Sequence, residues 1–202
     1  MLSVFSSLYA GNLMYYSSIL KAEMVTIDLF ENFHKQSFRN RCSIASPNGI
    51  LNLIIPINRK SKSIIKEVKI DDSQNWRKIH WKSLESSYRS SPYFEFYEDG
   101  FHSIFFKQNC NYLFEFNQLI LQEVLKALKV EIKITFTDSY IPRNNAIHDF
   151  RTVIHPKIQL DNQLKELKYH QVFQEKLKFI PNLSVLDLLF NEGPLAKQLL
   201  LQ

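Results

Sequence analysis

A single mixed α/β domain is the fold that this chain of 202 residues predicts. Three observations carry that reading. Residues 2–29 follow a strand–helix–strand pattern, Ser46-Pro47-Asn48-Gly49 is a strong turn signal between two strand-like runs, and the second half is dominated by helical spacing of apolar residues. Hydrophobic residues make up 45% and charged residues 22%, a balance that supports one core of ordinary size.

Residues 2–5 (Leu-Ser-Val-Phe) and 24–29 (Met-Val-Thr-Ile-Asp-Leu) are rich in apolar and β-branched types and read as short strands. Between them Leu13, Tyr16, Ile19 and Leu20 recur at helical spacing, so the unit is a βαβ crossover with a parallel strand pair. Residues 40–45 and 50–55 flank the turn as a β-hairpin that extends this sheet. Residues 64–70 alternate as a further strand, and Asp71 to Ser73 supply capping side chains for a helix over 75–88. Pro92 opens a short aromatic helix through Tyr93, Phe94, Phe96 and Tyr97. The longest amphipathic helix is expected over 111–129, then a strand over 131–137 and a loop with short extended pieces over 138–160. Residues 182–190 form a nearly all-apolar helix, expected in the core and stopped by Asn191-Glu192-Gly193-Pro194. With no repeat or linker, residues 1–202 read as one domain with a helix-rich C-terminal half.

Composition excludes several activities. The four glycines, Gly11, Gly49, Gly100 and Gly193, are at least 38 residues apart, which removes the dinucleotide-binding turn, the Walker A loop and the kinase glycine loop. There is no Gly-x-Ser-x-Gly elbow, and the six histidines form no H-E-x-x-H or H-x-x-x-H pair. His148-Asp149 with His155 comes nearest to a metal cluster, but its spacing fits no ligand geometry and a polar loop explains it, so no metal is expected. Cys42 and Cys110 are too few for a disulfide framework, which favours a reducing compartment. Residues 1–20 carry no charged side chain, yet they lack a signal peptide's basic start and read as a buried strand. No apolar run approaches the roughly 20 residues of a membrane helix, so the expected location is cytoplasmic.

The formal net charge is +5, and its densest part is Arg59, Lys60, Lys62, Lys66 and Lys69. These read either as a solvated turn and strand face or as a landing strip for phosphate. No aromatic RNA-binding motif or metal-finger spacing accompanies them, so nucleic acid is not expected as a partner. Arg39-Asn40-Arg41 is sharper. On a strand both guanidinium groups project from one face, with Lys35 in the preceding loop, a set suited to a carboxylate or phosphate. The competing reading is ion pairing with Asp28 and Glu31. Alternation puts Cys42 on the opposite face, as a buried structural thiol.

His80 shares a helix face with Trp76, Leu84 and Tyr88, with Glu85 close by. A partly buried imidazole there is the best candidate general base, with Glu85 and Tyr88 as catalytic partners; a satisfied core histidine is the alternative. Asp187 is the sole charge among residues 183–190 and needs a partner, for which an arginine is expected.

Several segments together resemble the WbqC-like family. They are Phe33-His34-Lys35-Gln36-Ser37-Phe38-Arg39-Asn40-Arg41-Cys42, Pro47-Asn48-Gly49 with the strand ending at Pro56, and Trp76…His80-Trp81…Glu85…Tyr88…Ser91-Pro92-Tyr93-Phe94…Tyr97. Tyr169-His170-Gln171-Val172-Phe173 and the block from Asn182 to Pro194 complete the set, in order along nearly the whole chain. The resemblance implies bacterial surface-polysaccharide (O-antigen) assembly, with aminoacyl (glycyl) or acyl transfer to an amino sugar as the expected reaction. The expected substrate is then a sugar or nucleotide-sugar, and ATP or an activated amino-acid carrier the co-substrate; no other cofactor is evident. In that reaction His80 would deprotonate the amine, while Lys35, Arg39, Asn40 and Arg41 would hold the carboxylate, phosphate or oxyanion. A non-catalytic carbohydrate- or protein-binding module is the alternative. The family's first strand–helix junction usually has more prolines and a glycine, of which Ala10-Gly11-Asn12 is what stands here.

Overall fold

The uncharged, apolar start of the chain becomes an inner strand of the sheet. In the computed structural model, which describes residues 2–58, 63–142, 148–156 and 167–202, β1 (Leu2–Phe5) pairs in parallel with β2 (Met24–Ile27). Their crossover is α1 (Leu13–Lys21), capped by Asn12, whose side chain accepts from the Tyr15 amide at 3.0 Å.

The turn chemistry of Asn48-Gly49 gives the expected hairpin of β3 (Arg41–Ser46) and β4 (Gly49–Ile54), with Gly49 at φ +115°, a conformation that L side chains rarely adopt. It does not extend the parallel sheet, however; among the described residues it is a two-stranded ladder of its own. Strand alternation explains this. Cys42, Ile44 and Leu53 turn into the core while Ile50, Asn52 and Ile54 face out, so the hairpin packs by its face and not by its edge.

Residues 64–70 are not one strand either. Residues Ile65–Glu67 make a 3-10 turn, which puts Ile65 and Val68, three apart, on one buried side. Its main chain is held by the segment after β2, since the Ile65 amide donates to Glu31 O and the Lys66 amide to Leu29 O. Only β6 (Lys69–Ile70) is strand, antiparallel to β5 (Ile57–Asn58). Of the dense basic stretch, Arg59, Lys60 and Lys62 lie outside the described residues. Lys66 and Lys69 are exposed and lie over the rings of Phe30 and Tyr112.

Three long helices follow, α2 (Trp76–Tyr88), α3 (Phe94–Phe106) and α4 (Leu113–Ala127). Helix α3 is longer than the short aromatic helix expected, because Phe101, Ile104 and Phe105 continue its buried face past Gly100. Pro92 precedes it and does not open it.

β7 (Ile134–Phe136) pairs with β2, and β8 (His148–Asp149) pairs with β1, giving a parallel sheet of order β7-β2-β1-β8. β8 is a short extended piece within the loop expected over 138–160; two residues carry no readable periodicity that would place it in the sheet, and the open edge of β1 organises them. A short α5 (Gln174–Leu177) leads to α6 (Val185–Glu192) and α7 (Ala196–Leu201). As expected, α6 is core: residues 185–191 are all buried. It is anchored to the β1–α1 connection, where Ser184 Oγ donates to Ala10 O at 2.7 Å and the Val185 amide donates to Gly11 O. No helix among the described residues is long and apolar enough to cross a membrane.

Candidate functional site

The strand order fixes where to look. From β1 the chain moves to β2 and β7 on one side, and β8 returns on the other. In open parallel sheets the crevice at such a reversal, outside the carboxyl ends of the strands, is where ligands bind. Here that place lies between Ser6, just after β1, and Arg151, just after β8.

Five charged side chains converge there. Arg39 bonds Glu31 at two points, Nε to Oε1 at 2.9 Å and Nη2 to Oε2, and Nη2 also donates to Ser6 Oγ at 2.9 Å. Its Nη1 meets no acceptor among the described residues. Arg151 donates from Nε and Nη2 to Asp149 and from Nη1 to both Asp28 Oδ2 and Ile141 O. Asp28 Oδ1 accepts from the Phe30 amide and from Thr137 Oγ. All five are buried or nearly so. Burial pushes the Glu31 carboxyl above its ordinary range, with Arg39 and the Ser6 hydroxyl pulling the other way. At the rim, Tyr140 is half exposed, with the Arg151 guanidinium over its ring at 5.3 Å.

The basic motif divides. Arg39 sits in the turn before β3, not on the strand, and takes the ion-paired alternative with Glu31; Asp28 pairs with Arg151 instead. Asn40 pins the hairpin base by donating to Ile55 O at 2.9 Å. Arg41, at the start of β3, has no side-chain hydrogen bond or ion pair among the described residues, and its Nε is buried without an acceptor. Lys35 is exposed and unpaired among the described residues. Asn117 of α4 donates to Arg39 O at 2.9 Å and to Ser7 Oγ, leaving its own Oδ1 buried without a donor.

His80 is not brought to this crevice. It is 4% exposed; its Nδ1 lies 3.0 Å from Tyr9 Oη, its ring packs against Trp76, and it also bonds Ile54 of the main chain. Burial pushes its pKa down to about 4, so the imidazole is neutral at pH 7 and enclosed. Glu85 lies on the surface, bonded to Arg89. Tyr88 is wholly buried and donates to Asp187 Oδ1 at 2.7 Å, while Tyr169 donates to Oδ2 at 2.7 Å. Two tyrosines therefore hold Asp187 where an arginine was expected, and burial raises its pKa. Cys42 is buried, as expected, and desolvation pushes its thiol up. Among the described residues no three His, Cys, Asp or Glu side chains are grouped to hold a metal ion.

The sequence pointed to Asp28 and Glu31 only as ion-pair partners and to Asp149 only as part of a polar loop, and it singled out neither Thr137 nor Arg151. An acid just past the end of a buried strand, as at Asp28, is the signal that was there to read. Arg151 offers none without β8.

The model of the WbqC-like protein family matches residues 7–160, a span that begins just past β1 and includes Arg151. The chain belongs to the WbqC-like protein family. The closing segments from Tyr169 to Pro194, which carried part of the resemblance, lie beyond the matched span. Over 110 residues the chain is 24% identical to "Uncharacterized protein Rv1507c" of Mycobacterium tuberculosis, covering 54% of this chain and 47% of that protein. It thus spans about half the length of the curated relative that it matches. No solved structure matches the chain significantly.

Proposed function

We propose that this WbqC-like protein is a cytoplasmic transferase of bacterial surface-polysaccharide (O-antigen type) assembly, placing an aminoacyl (glycyl) or acyl group on an amino sugar. The observation that carries the reading is Arg41: a guanidinium with a buried nitrogen that lacks an acceptor among the described residues, two residues from the ion-paired Arg39. A carboxylate or phosphate of a sugar or nucleotide-sugar supplies the missing acceptor, with Lys35 assisting. The sugar amine attacks the carbonyl carbon, the bond from that carbon to its carrier breaks, and the attacking nitrogen loses a proton. Glu31, beside Ser6 in the crevice and lifted by burial, suits that proton better than His80, which is not brought to the crevice. The acyl group arrives from ATP-activated amino acid or a charged carrier.

Incubating the purified chain with glycine, ATP or a glycyl carrier, and an amino-sugar nucleotide should give a product heavier by one glycyl unit in mass spectrometry. Arg41→Lys should weaken sugar-nucleotide binding by roughly 1–3 kcal/mol in calorimetry, by loss of the two-donor fork, with the thermal midpoint nearly unchanged. A large fall in that midpoint with unaltered binding would make Arg41 scaffold. The half-exposed Tyr140 at the crevice rim favours a second reading, a non-catalytic sugar-binding module. It predicts saturable sugar binding, lost in Tyr140→Ala, with no turnover under any donor.

A further inference from the structure

A second concave surface lies away from the crevice, between α4 and the chain from Val130 to Phe136. Val130, Ile132, Ile134 and Phe136 alternate along this run, line the groove and are only partly covered. Within it the strand itself, β7, is three residues long, about 10 Å at a rise of about 3.3 Å per residue. Lys126, Lys129 and Lys133 stand around the groove against one lining acid, Glu131; Lys126, 75% exposed, also pairs with Glu123 on its own helix. Gln118 and Gln122, one helical turn apart on α4, add amides that can donate to and accept from a peptide main chain. β7 ends the sheet among the described residues, so one row of its main-chain groups faces away from β2.

We infer that this groove docks an extended segment of a partner protein in which acidic and apolar residues alternate. The apolar residues fill the floor, the acids meet the lysines, and the segment lies along β7 as an added strand. Charge selects this occupant over a second copy of the chain. A symmetric contact would set the three lysines against their own images, in a protein already at +5. Lysines beside an edge strand also repel indiscriminate pairing, which gives specificity to a partner carrying acids. The inference is independent of the crevice reading.

The test is fluorescence anisotropy of the full chain with a labelled heptapeptide alternating Glu or Asp with Val, Ile and Phe, against the same peptide with Lys for each acid. Saturable, salt-sensitive binding of the acidic peptide alone, weakened at least tenfold in K126E/K129E/K133E, supports the docking site. These lysines are exposed, and an unchanged thermal midpoint confirms that the variant folds. Gln122→Ala gives a second, charge-neutral variant that should bind several-fold more weakly. The inference is overturned by no binding at millimolar peptide, or by equal binding of the triple variant. It is overturned too if the triple substitution instead abolishes co-sedimentation with phosphatidylserine vesicles, or dissolves a dimer seen in sedimentation velocity.

Discussion

Glu31 and Asp187 are both buried acids whose pKa values burial raises, yet the protein holds them in opposite ways. Glu31, at the mouth of the parallel sheet, is gripped at two points by the Arg39 guanidinium. Asp187, inside α6, is held by the neutral hydroxyls of Tyr88 and Tyr169, with Gln171 bonded to the second tyrosine. The first arrangement pairs a charge with a charge and depends on both being present. The second solvates a carboxyl without a counter-ion, so adding a proton relieves it. The crevice is thereby a rigid electrostatic frame, whereas the α6 cluster ties α2, α6 and the segment around Tyr169 into the core.

The largest effect should come from Arg39→Ala, which leaves Glu31 buried and unpaired, at a cost of about 3–5 kcal/mol in urea unfolding. An Arg39→Leu and Glu31→Leu double variant should recover most of that loss. If it does not, the pair is not what holds this region and the comparison fails. Asp187→Ala strands two tyrosine hydroxyls and should cost about 2–4 kcal/mol; Asp187→Asn should cost less. Because folding raises the Asp187 pKa, its contribution is full below the ordinary aspartate value, about 3.8, and is lost as pH rises through the folded value. Thermal midpoints of Asp187→Asn across pH 3–7 should therefore fall less on the rising side than those of the unaltered protein.

His80 sharpens the contrast from the basic side. Its pKa is lowered to about 4, so its contribution is complete above pH 6.5 and is lost as pH falls toward 4, at most about 3 kcal/mol. His80→Asn should flatten that window in thermal melts; an undiminished slope would assign the acid sensitivity elsewhere. The smallest effect belongs to Glu85→Ala. Its carboxylate and Arg89 are both well exposed, so stability should change by less than about 0.5 kcal/mol. A loss of turnover in that variant would restore a catalytic role to this helix face.

How far the sequence reaches differs along the chain. The first βαβ unit, the hairpin turn and α6 were legible because each is a local pattern: β-branched runs, helical spacing, a Gly-containing turn, an apolar block. The candidate site was half legible. Arg39, Asn40 and Arg41 were singled out by residue type, but strand alternation gave them one shared role. In the structure Arg39 falls in a turn and pairs inward, Asn40 holds the hairpin, and the Arg41 side chain has no partner among the described residues. His80 drew notice because imidazole chemistry is versatile, yet its neighbours at i−4 and i+4, Trp76 and Leu84, are buried apolar residues and help to enclose it.

By itself, the sequence determined the fold class, the helical second half and the burial of residues 185–191, because periodicity and apolar content act through near neighbours. Only the tertiary structure decided the rest. It set the hairpin apart from the sheet, made β8 a strand from two polar residues, and brought Arg151 to Asp28 across more than a hundred residues. Those outcomes depend on which edge, face or charge remains unsatisfied once the local elements have formed. That demand is met across space, where spacing along the chain carries no record of it.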